Sequence, residues 1–159
     1  MTITLHTFAT PEAFKAFRWD FIKRAEGVRT DPYVDHVGVP TIGVGFSLTD
    51  SRIRNLVFNA LNWVDSDARL NSAADIAINK GFIEQLRTAV DKRYPVNDTA
   101  GLQSAINGIL SNRAQALSGY SFIASNTRMV LAETQMPPVF ELAVPKYHDR
   151  VRTALGLRE

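Results

Sequence analysis

The sequence predicts an α+β fold, mainly helical, in which a small N-terminal lobe with an antiparallel β-hairpin sheet precedes a larger helical C-terminal lobe, with a cleft between the two. Three observations carry this. From Thr30 to Phe46 the chain reads as short extended pieces separated by the turn residues Asp31-Pro32, Gly38 and Pro40, with Val39, Thr41, Ile42, Val44 and Phe46 favouring strands. On both sides of that stretch apolar residues recur at helical spacing. No internal repeat, low-complexity tract or Ser/Gly-rich linker divides the chain, so residues 1–159 read as one domain with lobes at about 1–70 and 71–159.

Thr10-Pro11-Glu12 is a helix start: a capping hydroxyl, a proline at the first helical position and an acid in the first turn. Phe14, Phe17, Phe21 and Ile22 follow as one apolar face, and Glu26-Gly27 should end the helix. After the hairpin, Thr49-Asp50-Ser51 opens a helix whose buried stripe is Ile53, Leu56, Val57, Ala60 and Leu61. Ser72-Ala73-Ala74-Asp75 resembles a capping box before Ile76, Phe82, Ile83, Leu86 and Val90, with Gly81 as a candidate bend. Tyr94-Pro95 breaks that run, and Asp98 caps a helix with Leu102, Ala105, Ile106, Ile109 and Leu110 inward. Asn126 to Thr134 reads as a further helix stopped by Pro137-Pro138. A last helix is expected from about Pro145 to Leu155, with Val144, Tyr147, Val151 and Leu155 on its apolar side.

Composition removes several chemistries. The 159 residues are 45% hydrophobic, enough to bury a core without a staple. There is no cysteine, which excludes disulfides, thiolate nucleophiles and thiolate metal ligands. His6, His36 and His148 have no second ligand at helical spacing, so neither a metal nor another cofactor is expected. A formal charge of +2 gives no nucleic-acid footprint. Met1 to Phe17 has no signal-peptide pattern, and no run of about 18 apolar residues suits a membrane span. The expectation is synthesis in the cytoplasm and delivery by other machinery.

The chemistry-bearing stretch runs from Glu26 to Gly45. It sets a carboxylate at a helix end, Asp35 in a turn-rich segment, and the Thr41 hydroxyl shortly beyond. Glycoside cleavage requires a protonated acid for the leaving oxygen and a second group to handle water at the oxocarbenium-like carbon. Two rigid elements facing one another across a cleft can hold such a pair.

This stretch resembles the catalytic signature of the T4-type phage lysozymes, the endolysin muramidases: Glu26, Gly27, Tyr33, Asp35, Gly38, Thr41, Gly43 and Gly45 fall in register with it. The match covers about Phe21 to Asp50. The resemblance implies a lysozyme-like fold and hydrolysis of the β-1,4 bond between N-acetylmuramic acid and N-acetylglucosamine in peptidoglycan. It makes Glu26 the general acid, and Asp35 with Thr41 the residues that hold and activate water. It also implies inversion, with carboxyls about 6.5 to 9.5 Å apart. Burial is expected to keep Glu26 protonated, with Arg24 and Arg29 pointing to solvent, while Asp35 stays ionised in a wetter setting. Gly43 and Gly45 should let sugar or backbone approach closely. Tyr33 reads as a packing residue that supports the hairpin.

Beyond that stretch the resemblance thins. Phe46 stands where many relatives carry histidine. Ser111-Asn112-Arg113 is similar to an Asn-Arg pair near the cleft of some phage-type muramidases, with Ala114 in place of a glycine; it gives Arg113 a substrate role, the alternative being an arginine on a helix surface. Asn107, Gln103 and Arg128 are further candidates for sugar or stem peptide, and Trp19 and Trp63 read as packing residues.

The implied partner is the glycan strand of the cell wall, reached in the periplasm by a monomer released through a holin or secretion machinery, or an antibacterial effector countered by an immunity protein. The rival readings are a chitin or chitosan hydrolase and a non-catalytic wall-binding or immunity-recognised module on the same fold.

Overall fold

The computed structural model describes residues 8–154, with side chains as far as residue 145. His6 and Leu155 lie outside the described residues, and Tyr147, His148 and Val151 outside the described side chains. The architecture is α+β and mainly helical, with one small antiparallel sheet among the described residues.

Four helices begin where side-chain caps predict. The Thr10 hydroxyl accepts from the Ala13 amide at 3.1 Å at the head of α1 (Pro11–Glu26), and the Gly27 amide returns to the Lys23 carbonyl at its end. Asp50 accepts from the Arg52 and Ile53 amides to start α2 (Ser51–Ala60). Ser72 caps α3 (Ala73–Asp91), which runs unbroken through Gly81, and Asp98 caps α4 (Thr99–Ala116). Each cap satisfies amides that an α-helix leaves without an internal partner.

The sheet follows α1 directly, in the order β1 (Arg29–Val34), β2 (Pro40–Gly43), β3 (Phe46–Ser47). Both pairings are antiparallel, with Tyr33 opposite Thr41 and Ile42 opposite Phe46. Ile42 and Leu48 sit in one core cluster with Ile53 and Val57 of α2, Ile83 and Leu86 of α3, and Leu102 and Ile106 of α4. A smaller cluster gathers Leu70, Leu117 and Ile123, the last from the short helix α5 (Ser121–Ala124).

Three expectations are corrected. Phe14, Phe17 and Phe21 are not a core face: they are 41%, 43% and 64% exposed, and α1 has no fully buried residue. The inward face is turned by one residue, about 100°, so that Trp19 and Ile22 meet the core and Arg18 faces the last helix. Period alone identifies the helix, but its neighbours decide which stripe is covered.

Asn126 to Thr134 is irregular apart from a 3-10 turn at Glu133–Gln135. Its polar groups are satisfied across the chain: the Leu131 amide donates to the Thr30 carbonyl, and Gln135 Nε2 donates to the Ala60 carbonyl. Finally, Pro137 and Pro138 open a helix instead of closing one. They fall in the first turn of α6 (Met136–Ala154), where missing amides cost nothing, and Pro145 lies inside that helix.

Candidate functional site

One face of the β1–β2 hairpin carries two of the predicted site residues, Asp35 and Thr41. Asp35 continues the ladder by donating its amide to the Val39 carbonyl at 3.0 Å, so its side chain leaves the sheet on the same side as that of Tyr33 two residues earlier. Thr41 stands opposite Tyr33 and shares that face. Val34 and Ile42 point the other way, into the core.

Asp35 is half-buried, and its Oδ1 accepts from the Val37 and Val39 amides at 2.9 and 2.8 Å. The carboxylate therefore builds the turn that carries it. Thr41 is 5% exposed, and its hydroxyl donates to the Val39 carbonyl at 3.1 Å. Its proton is committed to the backbone, which leaves the oxygen lone pairs as acceptors.

Glu26 closes α1 and faces a groove of about 380 Å³. Arg18 and Ile22 lie two turns and one turn before it on the same helix; Val44, Gly45 and Phe46 of the hairpin and Phe140, Ala143 and Val144 of α6 supply the other walls. Contrary to the expectation of burial, Glu26 is exposed, because nothing among the described residues covers the last turn of α1, where Arg24 and Ala25 are exposed too. No described residue hydrogen-bonds or ion-pairs with its carboxylate.

Gly43 and Gly45 divide in role. Gly43 is buried under the ring of Phe46, where a Cβ would come within 2.7 Å of the ring, so this glycine admits a side chain of the protein and does not line the groove. Gly45, at φ +91°, is exposed at the groove wall beside Glu26. Phe46 thereby becomes part of the groove wall.

Arg18 is held from both sides. It makes two hydrogen bonds to Glu141 at 2.7 and 2.6 Å, and its guanidinium lies over the rings of Phe14 and Phe140. The spacing of positions 18, 22 and 26 was readable as one helix face, but Glu141, 123 residues on from Arg18, was not.

Tyr33 was read as packing alone, yet it lies among the site's charges. Arg29 is exposed, as expected, and its guanidinium sits 4.4 Å from the Tyr33 ring centroid. Burial pushes the Tyr33 phenol above its ordinary value; the Arg29 charge opposes this, and the Glu26 and Asp35 carboxylates add to it. Both carboxylates therefore act on the same hydroxyl.

Arg113 is corrected in both respects, being neither at the groove nor on a helix surface. It is 2% exposed, its Nε donates to Asn79 Oδ1 at 2.8 Å, and burial pushes its pKa down to about 10. Trp63 is buried and Trp19 packs on Phe140, as expected for both. Arg128 is exposed and pairs with Asp31 at 3.4 Å.

Among the described residues no group of three or more His, Asp or Glu could hold a metal, and no helix is long and apolar enough to cross a membrane. No protein-family model matches the chain, and neither a curated protein nor a solved structure matches it.

Proposed function

We propose that the chain is a lysozyme-like peptidoglycan hydrolase, a muramidase that cleaves the β-1,4 bond between N-acetylmuramic acid and N-acetylglucosamine. The observation that carries this reading is that Glu26, at a helix end, lies against Gly45 in the turn between β2 and β3, on the sheet whose β1–β2 face carries Asp35 and Thr41. A carboxylate that faces a groove from one rigid element, with a second carboxylate on an adjacent hairpin, is the pair that glycoside hydrolysis uses.

In this mechanism Glu26 protonates the leaving glycosidic oxygen. Asp35, fixed by two backbone amides, takes one proton from the attacking water, while the Thr41 oxygen accepts a hydrogen bond from the hydrogen that stays on it. Water then attacks the anomeric carbon from the opposite face with inversion. Glu26 is open to solvent in the free protein, so the glycan itself supplies the desolvation that favours the protonated acid, by lying against Ile22, Val44 and Phe46. The biological setting that fits is lysis of a cell wall from the periplasmic side, as an endolysin or as an antibacterial effector.

The exposure of Glu26 also favours a second reading, a wall-binding module without turnover. Mass spectrometry of products from purified sacculi separates the readings. Fragments with N-acetylmuramic acid at the new reducing end are expected; intact sacculi, or cleavage of chitin oligomers only, would reject the muramidase.

A further inference from the structure

At the proposed reaction centre the Asp35 carboxylate and the Thr41 oxygen are acceptors, the threonine proton being already donated to the Val39 carbonyl, and the one proton of Glu26 is reserved for the glycosidic oxygen. A glycan offers acceptors as well as donors there, since its acetamido carbonyl and its ring and glycosidic oxygens have no proton to give. Bound beside carboxylates alone, those oxygens would be desolvated without a partner, at a cost comparable to a lost hydrogen bond. Besides the Arg29 guanidinium, which lies over the Tyr33 ring, a donor that reaches them from the hairpin face is needed.

Tyr33 has the properties of that donor. It stands opposite Thr41 across the β1–β2 ladder, and the Arg29 guanidinium sits 4.4 Å from its ring centroid. No described residue takes up its hydroxyl, and Glu26 and Asp35 both lie within electrostatic reach of it. Both of those anions, together with burial, keep the phenol in its protonated, donating form, against the opposing pull of Arg29.

We propose that Tyr33 is a substrate-binding residue of this site, whose phenolic O–H donates to an acceptor oxygen of an N-acetylated amino-sugar strand lying beside Glu26 and Asp35. This rests on the glycosidase reading and adds a specificity element to it. A strand stripped of N-acetyl groups presents ammonium groups in place of acetamido carbonyls, so it loses the acceptor that suits a phenol.

The test compares wild type with Tyr33→Phe, which keeps the ring, the stack under Arg29 and the pairing with Thr41 while deleting one donor. Initial rates are measured on purified sacculi and on the same sacculi after chemical N-deacetylation, with melting temperature as the control. The expected result is an unchanged melting temperature, a three- to tenfold rise in KM on acetylated sacculi, which is about the worth of one neutral hydrogen bond, and a smaller ratio between the two substrates for Tyr33→Phe than for wild type. A wild type that lyses sacculi while Tyr33→Phe matches it on both substrates would overturn the role of Tyr33 and leave the glycosidase reading standing. Wild type inert on sacculi, with no retention on them in a pull-down, would overturn both.

Discussion

A Cβ placed on Gly45 would stand 3.9 Å from Oε2 of Glu26, so the last residue of α1 lies directly against the hairpin's glycine turn. This contact joins the helix that carries the proposed acid to the sheet that carries Asp35 and Thr41, and it sets one wall of the groove.

Gly45→Ala is expected to fail twice. At φ +91° an L side chain is strained, by about 1–2 kcal/mol, so the melting temperature should fall by about 2–8 °C in a chain of this size. The methyl group would also narrow the groove beside Glu26, and lysis should drop further than stability explains. Calorimetry and turbidity assays on the same preparation check this; wild-type melting together with wild-type lysis would show that the contact is incidental.

Asp35 has two separable duties. Asp35→Ala removes the acceptor for the Val37 and Val39 amides and should cost about 1–3 kcal/mol in addition to activity. Asp35→Asn keeps an oxygen at Oδ1 and loses only the charge, so it should fold like the wild type and still lack turnover, by about 100-fold or more. Equal stability of the two variants would mean that the turn does not depend on this side chain.

Arg113 should be dispensable for catalysis and relevant to stability. Burial costs its charged form, and Asn79 is its hydrogen-bond partner away from the groove. Arg113→Met is expected to shift the urea midpoint while leaving the lysis rate within about twofold, well short of the tenfold that 1.4 kcal/mol of lost substrate binding would give. A tenfold loss at unchanged stability would restore a substrate role.

Asp67 supplies a pH signature. Hydrogen bonds from the Arg69 guanidinium and amide hold its carboxyl below the usual range. A depressed acid contributes stability that is present above its unfolded pKa and is lost as pH falls through the folded one. Urea midpoints of the wild type should therefore decline below about pH 4 more steeply than those of Asp67→Asn; parallel curves would contradict the coupling.

Much of this architecture was legible residue by residue. Thr10, Asp50, Ser72 and Asp98 each announced a helix, because capping is a local interaction between a side chain and an amide two or three positions on. The hairpin followed from alternation and turn residues, and with it the common face of Asp35 and Thr41.

What failed depended on distant partners. The covered stripe of α1 was set by α6, through Arg18 with Glu141 and Trp19 with Phe140. The segment from Asn126 to Thr134 has helical periodicity, but its Leu131 amide donates to the Thr30 carbonyl, and Gln135 just beyond it donates to the Ala60 carbonyl. Prolines 137 and 138 are compatible with either the end or the start of a helix, and only the neighbouring fold decides which. Arg113 sits at a helical position that can face out or in, and Asn79 on α3 makes the inward choice affordable.

The central claim is that Glu26 supplies a proton to a glycosidic oxygen. Release of reducing ends from purified sacculi by wild type and by Glu26→Gln, with folding matched by circular dichroism, tests it most directly. Steady release by wild type and a loss of about 100-fold or more in the variant are expected. Equal release from both proteins, or none from either, would contradict it.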